Sequence, residues 1–222
     1  MKKEKIILVG AGQHFNVVLF NIIAQQMYDV ACLLDVDESK WGTKLNGVFV
    51  EPGYSDYDVD FLKKIQQKYQ TNKFFISLGS MRLRKPLFEF FRNNGWESVN
   101  VIHPNAVVSK WAKLGKGILI ECGCLVTPQP IIGDNVVVNT GSQINHDNVI
   151  EDHVYIASGV ILSGGVTIKQ NTLLDDGVIV TLGQSVGSNC IIGAGAVVTK
   201  HIEDNSIAYG SPCKVIKPNN KF

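Results

Sequence analysis

His146 and Asp147 stand side by side in the stretch VVVNTGSQINHDNVI (Val136 to Ile150). A histidine beside a carboxylate is a simple general base, because the carboxylate orients the ring and leaves the far nitrogen free to take a proton. Asn139, seven residues earlier, is a polar side chain able to support that pair. Eighteen residues beyond His146 lies Gly164, in Ser163-Gly164-Gly165. A glycine leaves its backbone N–H open to a developing oxyanion. A second constellation opens the chain. Gly10-Ala11-Gly12-Gln13-His14-Phe15 begins like a phosphate-binding turn, where N–H groups at a helix start hold anions. Asp35 and Asp37 follow a little over twenty residues later, about where a ribose-binding acid sits. Ser80 and Arg82 come after a third apolar run, at the same expected sheet edge. Phe15 stands where the third glycine of a dinucleotide fingerprint belongs, which argues against a standard NAD site.

Two kinds of framework must position these residues. From Ile102 to Val198 every sixth residue is aliphatic, seventeen in all, with no break in phase. Three residues further along in each hexad, from Asn105 to Gly195, twelve of sixteen positions are glycine or asparagine, and the exceptions are Trp111, Gln129, Asp147 and His153. No α-helix repeats at six. A parallel β-helix does, with three faces of six residues and eighteen per coil. The seventeen positions give a little over five coils and a prism roughly 25 Å long at about 4.8 Å per coil. In this count His146 lies two past Ile144, on the outside of a corner, and Gly164 lies directly one coil on. His153 falls on a turn position, where histidine tolerates the left-handed conformation, and is read as structural.

The first hundred residues alternate differently. Strands are expected at Lys5–Gly12, Val30–Asp37 and KFFISLG, with helices at His14–Gln26, Phe61–Tyr69 and Leu83–Arg92 and a loop around Trp41 to Tyr57. That pattern predicts a small parallel sheet in an α/β domain over residues 1–100, followed by the β-helix and a C-terminal cap over 101–222. With 45% hydrophobic and 18% charged residues the chain is a folded globular protein, and a formal charge of +1 gives no nucleic-acid footprint. No run approaches the roughly 20 apolar residues of a membrane span. The apolar run in MKKEKIILVGAG is too short for a signal peptide and reads as a buried strand, so a cytoplasmic protein is expected. The five cysteines have no zinc-ribbon or CxxC spacing and read as small apolar residues.

The hexads together with the glycine-rich first half resemble a bacterial hexapeptide-repeat family, the nucleotide-aminosugar N-acetyltransferases and sialic acid O-acetyltransferases. The resemblance spans essentially the whole chain, and it supplies the left hand of the β-helix. It implies a homotrimer that moves an acetyl group from acetyl-CoA to the amine of a UDP- or dTDP-linked amino sugar, with no metal. It implies that His146 is the base, with Asp147 and Asn139 in support and Gly164 as oxyanion donor. The nucleotide would be received at Gly12, Gln13, His14, Asp35 and Asp37, with Ser80 and Arg82 near the base or pyrophosphate. Tyr155 occupies a position where the family often has a second histidine near the acetyl group, and there it either donates a hydrogen bond or only packs. Tyr209-Gly210-Ser211-Pro212-Cys213-Lys214 resembles the closing Gly-x-Pro-Ala-Lys segment, with Cys213 in place of alanine. Lys200 and Lys214 would meet the phosphates of CoA, and Ala194 its pantetheine arm. Outward apolar residues such as Val137 and Tyr155 would be covered by threefold packing, with each active site between two subunits and the N-terminal domain of one subunit presenting the sugar.

Three other readings stand beside this one. Free sialic acid is the alternative acceptor. A zinc carbonic anhydrase shares the β-helix, and only His103, His146, His153 and His201 are available in it as ligands. A non-catalytic nucleotide-sugar scaffold would keep the fold and lose the chemistry.

Overall fold

A computed structural model describes residues 3–53 and 58–220, and the chain divides into two compact units, Met1–Val101 and Ile102–Phe222. In the first, β1 (Glu4–Val9), β2 (Tyr28–Asp35), β4 (Val48–Pro52), β5 (Lys73–Ile76) and β6 (Glu97–Ser98) run parallel, and β3 (Lys44–Leu45) closes one edge antiparallel to β4. The order is β3-β4-β2-β1-β5-β6. Helices α1 (Gln13–Gln25), α2 (Val59–Tyr69) and α3 (Met81–Asn93) connect the strands. Ile7 and Val9 of β1 pack into a cluster with Leu62, Ile65, Leu87 and Phe91 of α2 and α3. Ile6 and Leu8, equally buried, point the other way by strand alternation.

The loop expected at Trp41 to Tyr57 contains the β3–β4 hairpin. Asn46 and Gly47, with φ of 47° and 83°, form the two-residue turn, the Asn-Gly pairing that a right-twisted hairpin favours. The end of that stretch, residues 54–57, lies outside the described residues.

The second unit is the left-handed β-helix. Each hexad contributes a two-residue strand, and pairing is strictly eighteen apart: Leu125 with Gln143, Ile131 with Val149, Val137 with Tyr155. Three faces result. The first carries Leu119–Ile120, Val137–Val138, Tyr155–Ile156 and their successors, the second Leu125–Val126 and Gln143–Ile144, the third Ile131–Ile132 and Val149–Ile150. From Ile120 onward every in-phase aliphatic is buried in one continuous core, and only the first three, Ile102, Val108 and Leu114, are partly open. Fourteen of the sixteen turn positions take positive φ, including Gln129, Asp147 and His153. The two that do not are Asn105 and Trp111, both in the first coil. Val137 departs from expectation. It is completely buried within the chain, so it leaves nothing for a neighbouring subunit to cover. Two final strands, Ser206–Tyr209 and Lys214–Pro218, continue the first face and end it with an antiparallel pair.

Candidate active site

The corner between the second and third faces carries Lys110, Pro128, His146, Gly164, Leu182 and Lys200 in one column, each eighteen residues from the next. His146 is exposed there, and its Nδ1 lies 2.8 Å from Asp147 Oδ2. A carboxylate only accepts, so the proton of the neutral ring sits on Nδ1 and the lone pair on Nε2. The Cε1–Nε2 edge of the ring lies against Gly164. A Cβ on Gly164 would fall 2.4 Å from His146 Cε1 and 2.5 Å from Nε2, so no other residue fits beneath the ring as it stands. Asp147 reaches the histidine from a turn position at φ 60°.

The other two corners show what is missing here. At six turns the N–H two residues past the core aliphatic donates to a carboxylate of an adjacent coil. These bonds are Lys116 to Asp134 (2.7 Å), Asp134 to Asp152 (2.7 Å), Ser158 to Asp176 (3.0 Å), Ser188 to Asp204 (2.9 Å), Thr140 to Glu121 (3.2 Å) and Gln170 to Glu151 (2.9 Å). Gly164 holds the same turn position, and its N–H has no acceptor among the described residues. Where an acidic cap would stand one coil on, the chain has Leu182, which is 69% exposed. A free donor beside an oriented imidazole is the pair that acyl transfer needs.

The other sequence-predicted residues of this unit lie elsewhere. Asn139 and Ala194 sit on the corner between the first and second faces, and Tyr155 lies on the first face. Asn139 Nδ2 donates to Tyr155 Oη at 3.2 Å, and its buried Oδ1 has no partner among the described residues. Within one chain these three are therefore one prism face away from His146. Lys200 shares the His146 column, and Lys214 is exposed on the last strand. Sequence reasoning missed Glu121. This buried carboxylate accepts from the Thr140 hydroxyl at 2.6 Å and is held above the usual carboxylate range by burial.

In the first unit the glycine turn lies at the carboxyl end of β1. Gly10 has φ 106°, and a Cβ there would meet Leu78 at 2.3 Å, so glycine is required twice over. Asp35 is buried. Its Oδ2 accepts from Ala11 N at 2.5 Å and its Oδ1 from Asp37 N at 2.9 Å. Both oxygens thus shape the turn, where the sequence pattern suggested a ribose contact. Asp37 is exposed and caps the short helix Glu38–Lys40. A cavity of about 470 Å³ is lined by Ala11, Gly12, Gln13, Asn16, Lys40 and Asn46, among others. Gly12 and Gln13 were predicted for it. Asn16, Lys40 and Asn46 were not, because the hairpin that carries Asn46 was read as a loop. His14, Asp37, Ser80 and Arg82 do not line it. His14 is half-buried, and its pKa is lowered to about 4 by burial and by the nearby Arg84 guanidinium. Arg84, itself buried, donates to the carbonyls of Ile76 and Leu78 and so fixes the loop after β5. Ser80 and Arg82 are exposed at the start of α3.

Among the described residues no three His, Cys, Asp or Glu side chains converge as metal ligands. The histidines are separately engaged: His153 with Asn135, His201 with Ser185, His103 with the Asn105 N–H. That arrangement disfavours a three-histidine zinc site. All five cysteines are free. No helix among the described residues is long and apolar enough to cross a membrane.

Residues 5–91 match the PglD N-terminal domain family. No curated protein matches the chain by sequence. Among solved structures, GDP-perosamine N-acetyltransferase from Caulobacter crescentus, in complex with CoA and GDP-perosamine, is 29% identical, covering 96% of this chain and 97% of its own, with a TM-score of 0.86. The acetyltransferase domain of PglB from Neisseria gonorrhoeae, in complex with acetyl coenzyme A, is 27% identical over 97% of this chain and 100% of its own, with the same TM-score. WeeI from Acinetobacter baumannii, 23% identical over 96% of this chain and 100% of its own with a TM-score of 0.74, shares the fold. The chain thus joins a PglD-type N-terminal domain to a hexapeptide β-helix, and over nearly its whole length it resembles solved sugar acetyltransferases that bind CoA or acetyl-CoA.

Proposed function

We propose that the protein transfers the acetyl group of acetyl-CoA to the amino group of a nucleotide-linked amino sugar, in the cytoplasm, with His146 as general base. The observation that carries this reading is the stacking of His146 on Gly164, with Asp147 on Nδ1 and the Gly164 N–H uncapped. Nε2 takes a proton from the amine as its nitrogen bonds to the thioester carbon. The Gly164 N–H stabilises the oxyanion that forms. Collapse of the intermediate expels the CoA thiolate, which takes that proton from the imidazolium and leaves as thiol.

Lys200, three coils from His146 on the same corner, is about 14 Å along the column, a span suited to a pantetheine arm with a phosphate at its far end. The cavity at the α1 N-terminus, with Lys40 and the N–H groups of Gly12 and Gln13, suits the nucleotide. In this reading Asp35 and Arg84 are positioning residues for its walls, and His14 at the start of α1, Asp37 after β2, and Ser80 and Arg82 at the start of α3 stand at the same carboxyl edge of the sheet. A homotrimer is part of the proposal. Asn139, Tyr155 and Ala194 reach His146 only if a second prism brings its first corner against the second corner of its neighbour. The outer side of the second face, with Leu125, Ile161, Ile179 and Val197 only half-buried, supplies apolar surface for that packing.

The test follows thiol release from acetyl-CoA against UDP-, dTDP- and GDP-linked amino sugars and free sialic acids. One amino sugar should support turnover, and His146→Ala should lower kcat by about 100-fold or more. Equal turnover by wild type and variant would remove His146 from the mechanism, and turnover only with sialic acid would change the acceptor.

A further inference from the structure

The column that carries His146 continues in the other direction, away from Gly164 and Lys200. One coil back is Pro128 and two coils back is Lys110. There a cavity of about 750 Å³ opens, lined by Lys110, Trp111, Lys113, Pro128, Gln129 and Ile131 together with Ala112. Its features are not those of a turn built for folding. Trp111 occupies a position that glycine or asparagine fills at most other turns, and it does not adopt the positive φ found at fourteen of them. It is 62% exposed, a large aromatic surface presented to solvent. Lys110 Nζ sits 5.2 Å from its ring centroid, and no ion pair engages Lys110 or Lys113 among the described residues. The lining contains no acidic side chain.

We infer that this cavity is the subsite for the sugar ring and adjoining phosphate of the acceptor. The inference rests on the acetyltransferase reading. An exposed indole offers a flat apolar face to the C–H side of a pyranose, and two unpaired lysines at its edge offer charge to the phosphate that substitutes the anomeric carbon. Position completes the case. The cavity begins one coil, about 5 Å, from the His146 turn and ends about 10 Å from it, the reach of a glycosyl phosphate. The donor cannot use the same space, because Gly164 and Lys200 lie on the opposite side of His146 along the column. The geometry thus sets acceptor and donor on either side of the base.

The test uses Trp111→Ala and the double variant Lys110→Ala/Lys113→Ala in the full chain. With acetyl-CoA saturating and the amino-sugar nucleotide that turns over as the varied substrate, each variant should raise the acceptor KM about tenfold or more. The kcat and the KM for acetyl-CoA should stay within about threefold. An unchanged acceptor KM overturns the proposal, and so does a raised KM for acetyl-CoA instead. A change of mass by light scattering in Trp111→Ala would also overturn it, by showing that the cavity seats a second copy of the chain. If wild type turns over no sugar nucleotide, the amino-sugar reading of the acceptor fails, and the subsite is still tested by binding. Glucose 1-phosphate should quench the fluorescence that wild type has and Trp111→Phe lacks, saturably, with inorganic phosphate and glucose at least tenfold weaker. Absence of that saturable difference would refute the subsite.

Discussion

Leu182→Asp should silence the enzyme without harming the fold. At three turns a side-chain oxygen exactly one coil on caps the N–H of the equivalent residue: Asp134 on Lys116, Asp152 on Asp134 and Asp176 on Ser158, at 2.7 to 3.0 Å. Leu182 bears the same relation to Gly164, eighteen residues on at the same turn position, and its side chain is exposed. An aspartate there should therefore close on the Gly164 N–H as its counterparts do. Loss of a single oxyanion donor costs about 100- to 1,000-fold in kcat. A hydrogen bond to a charged acceptor contributes about 1.5–3 kcal/mol, less at this exposed site, so the melting temperature should hold or rise. Thiol release and thermal melts on the same preparations decide the matter. Leu182→Asn, a neutral cap, should lose nearly as much activity, which separates capping from charge, and Leu182→Ala should keep activity within about threefold. If Leu182→Asp also stays within threefold of wild type, the Gly164 N–H is not the oxyanion donor. If Leu182→Ala falls as far as Leu182→Asp, the effect belongs to the lost leucine and the capping argument fails.

Gly164→Ala retains the N–H but puts a methyl 2.4 Å from His146 Cε1, so the ring must retreat by about 1 Å to reach ordinary contact. Displacement of that size costs about 100-fold in kcat/KM. Because His146 is exposed and can swing outward, the melting temperature should change little, and a variant with full activity would refute the stacked geometry. His14 predicts a pH dependence. Its native pKa lies near 4 against 6.5 unfolded, so the unfolded chain binds the proton more readily. The stability that this burial confers is complete above 6.5 and is lost as pH falls from 6.5 towards 4. The loss is at most about 3 kcal/mol. Thermal melts of the N-terminal unit should decline across that window, and His14→Gln should flatten the decline. A parallel slope in both proteins would exclude His14 as its source.

How much was legible depended on how far the pattern reached in sequence. The β-helix was plain because each hexad repeats the same two demands, an inward aliphatic and a tight turn, and Ile120 to Val198 meet them without exception in the core. The same count placed Gly164 under His146, since stacking by eighteen is a property of the coil. The capping acids were not legible. Asp134, Asp152 and Asp176 look like ordinary turn residues until the coil above them is drawn. Arg84 was hidden for the opposite reason: a charged residue on a helix reads as surface, yet its guanidinium is buried against the carbonyls of Ile76 and Leu78. Asp35 illustrates a third case. Its position at the end of β2 was legible, but its bonds to the Ala11 and Asp37 N–H groups, which shape the glycine turn, were not. The Asn46-Gly47 turn carried a clear hairpin signal, and the short strands beside it masked that signal.

The distribution of caps itself argues for where the chemistry lies. A capped turn N–H is worth about 1 kcal/mol, and the chain makes such caps repeatedly on two of the prism's three corners. On the third corner it makes none among the described residues. The residues that would serve are Pro128, His146, Gly164, Leu182 and Lys200, among which no carboxylate occurs. Folding alone gives no reason for the difference, because all three corners have the same backbone and the same eighteen-residue repeat. A ligand gives one. Acids on this corner would occupy the donors and repel the phosphates of a CoA thioester along the whole column. A corner kept free of acid, except for Asp147 turned sideways onto the imidazole, retains its donors and its positive end at Lys200. Sequence rules for stability are broken here in one line of the structure, and that line passes through His146.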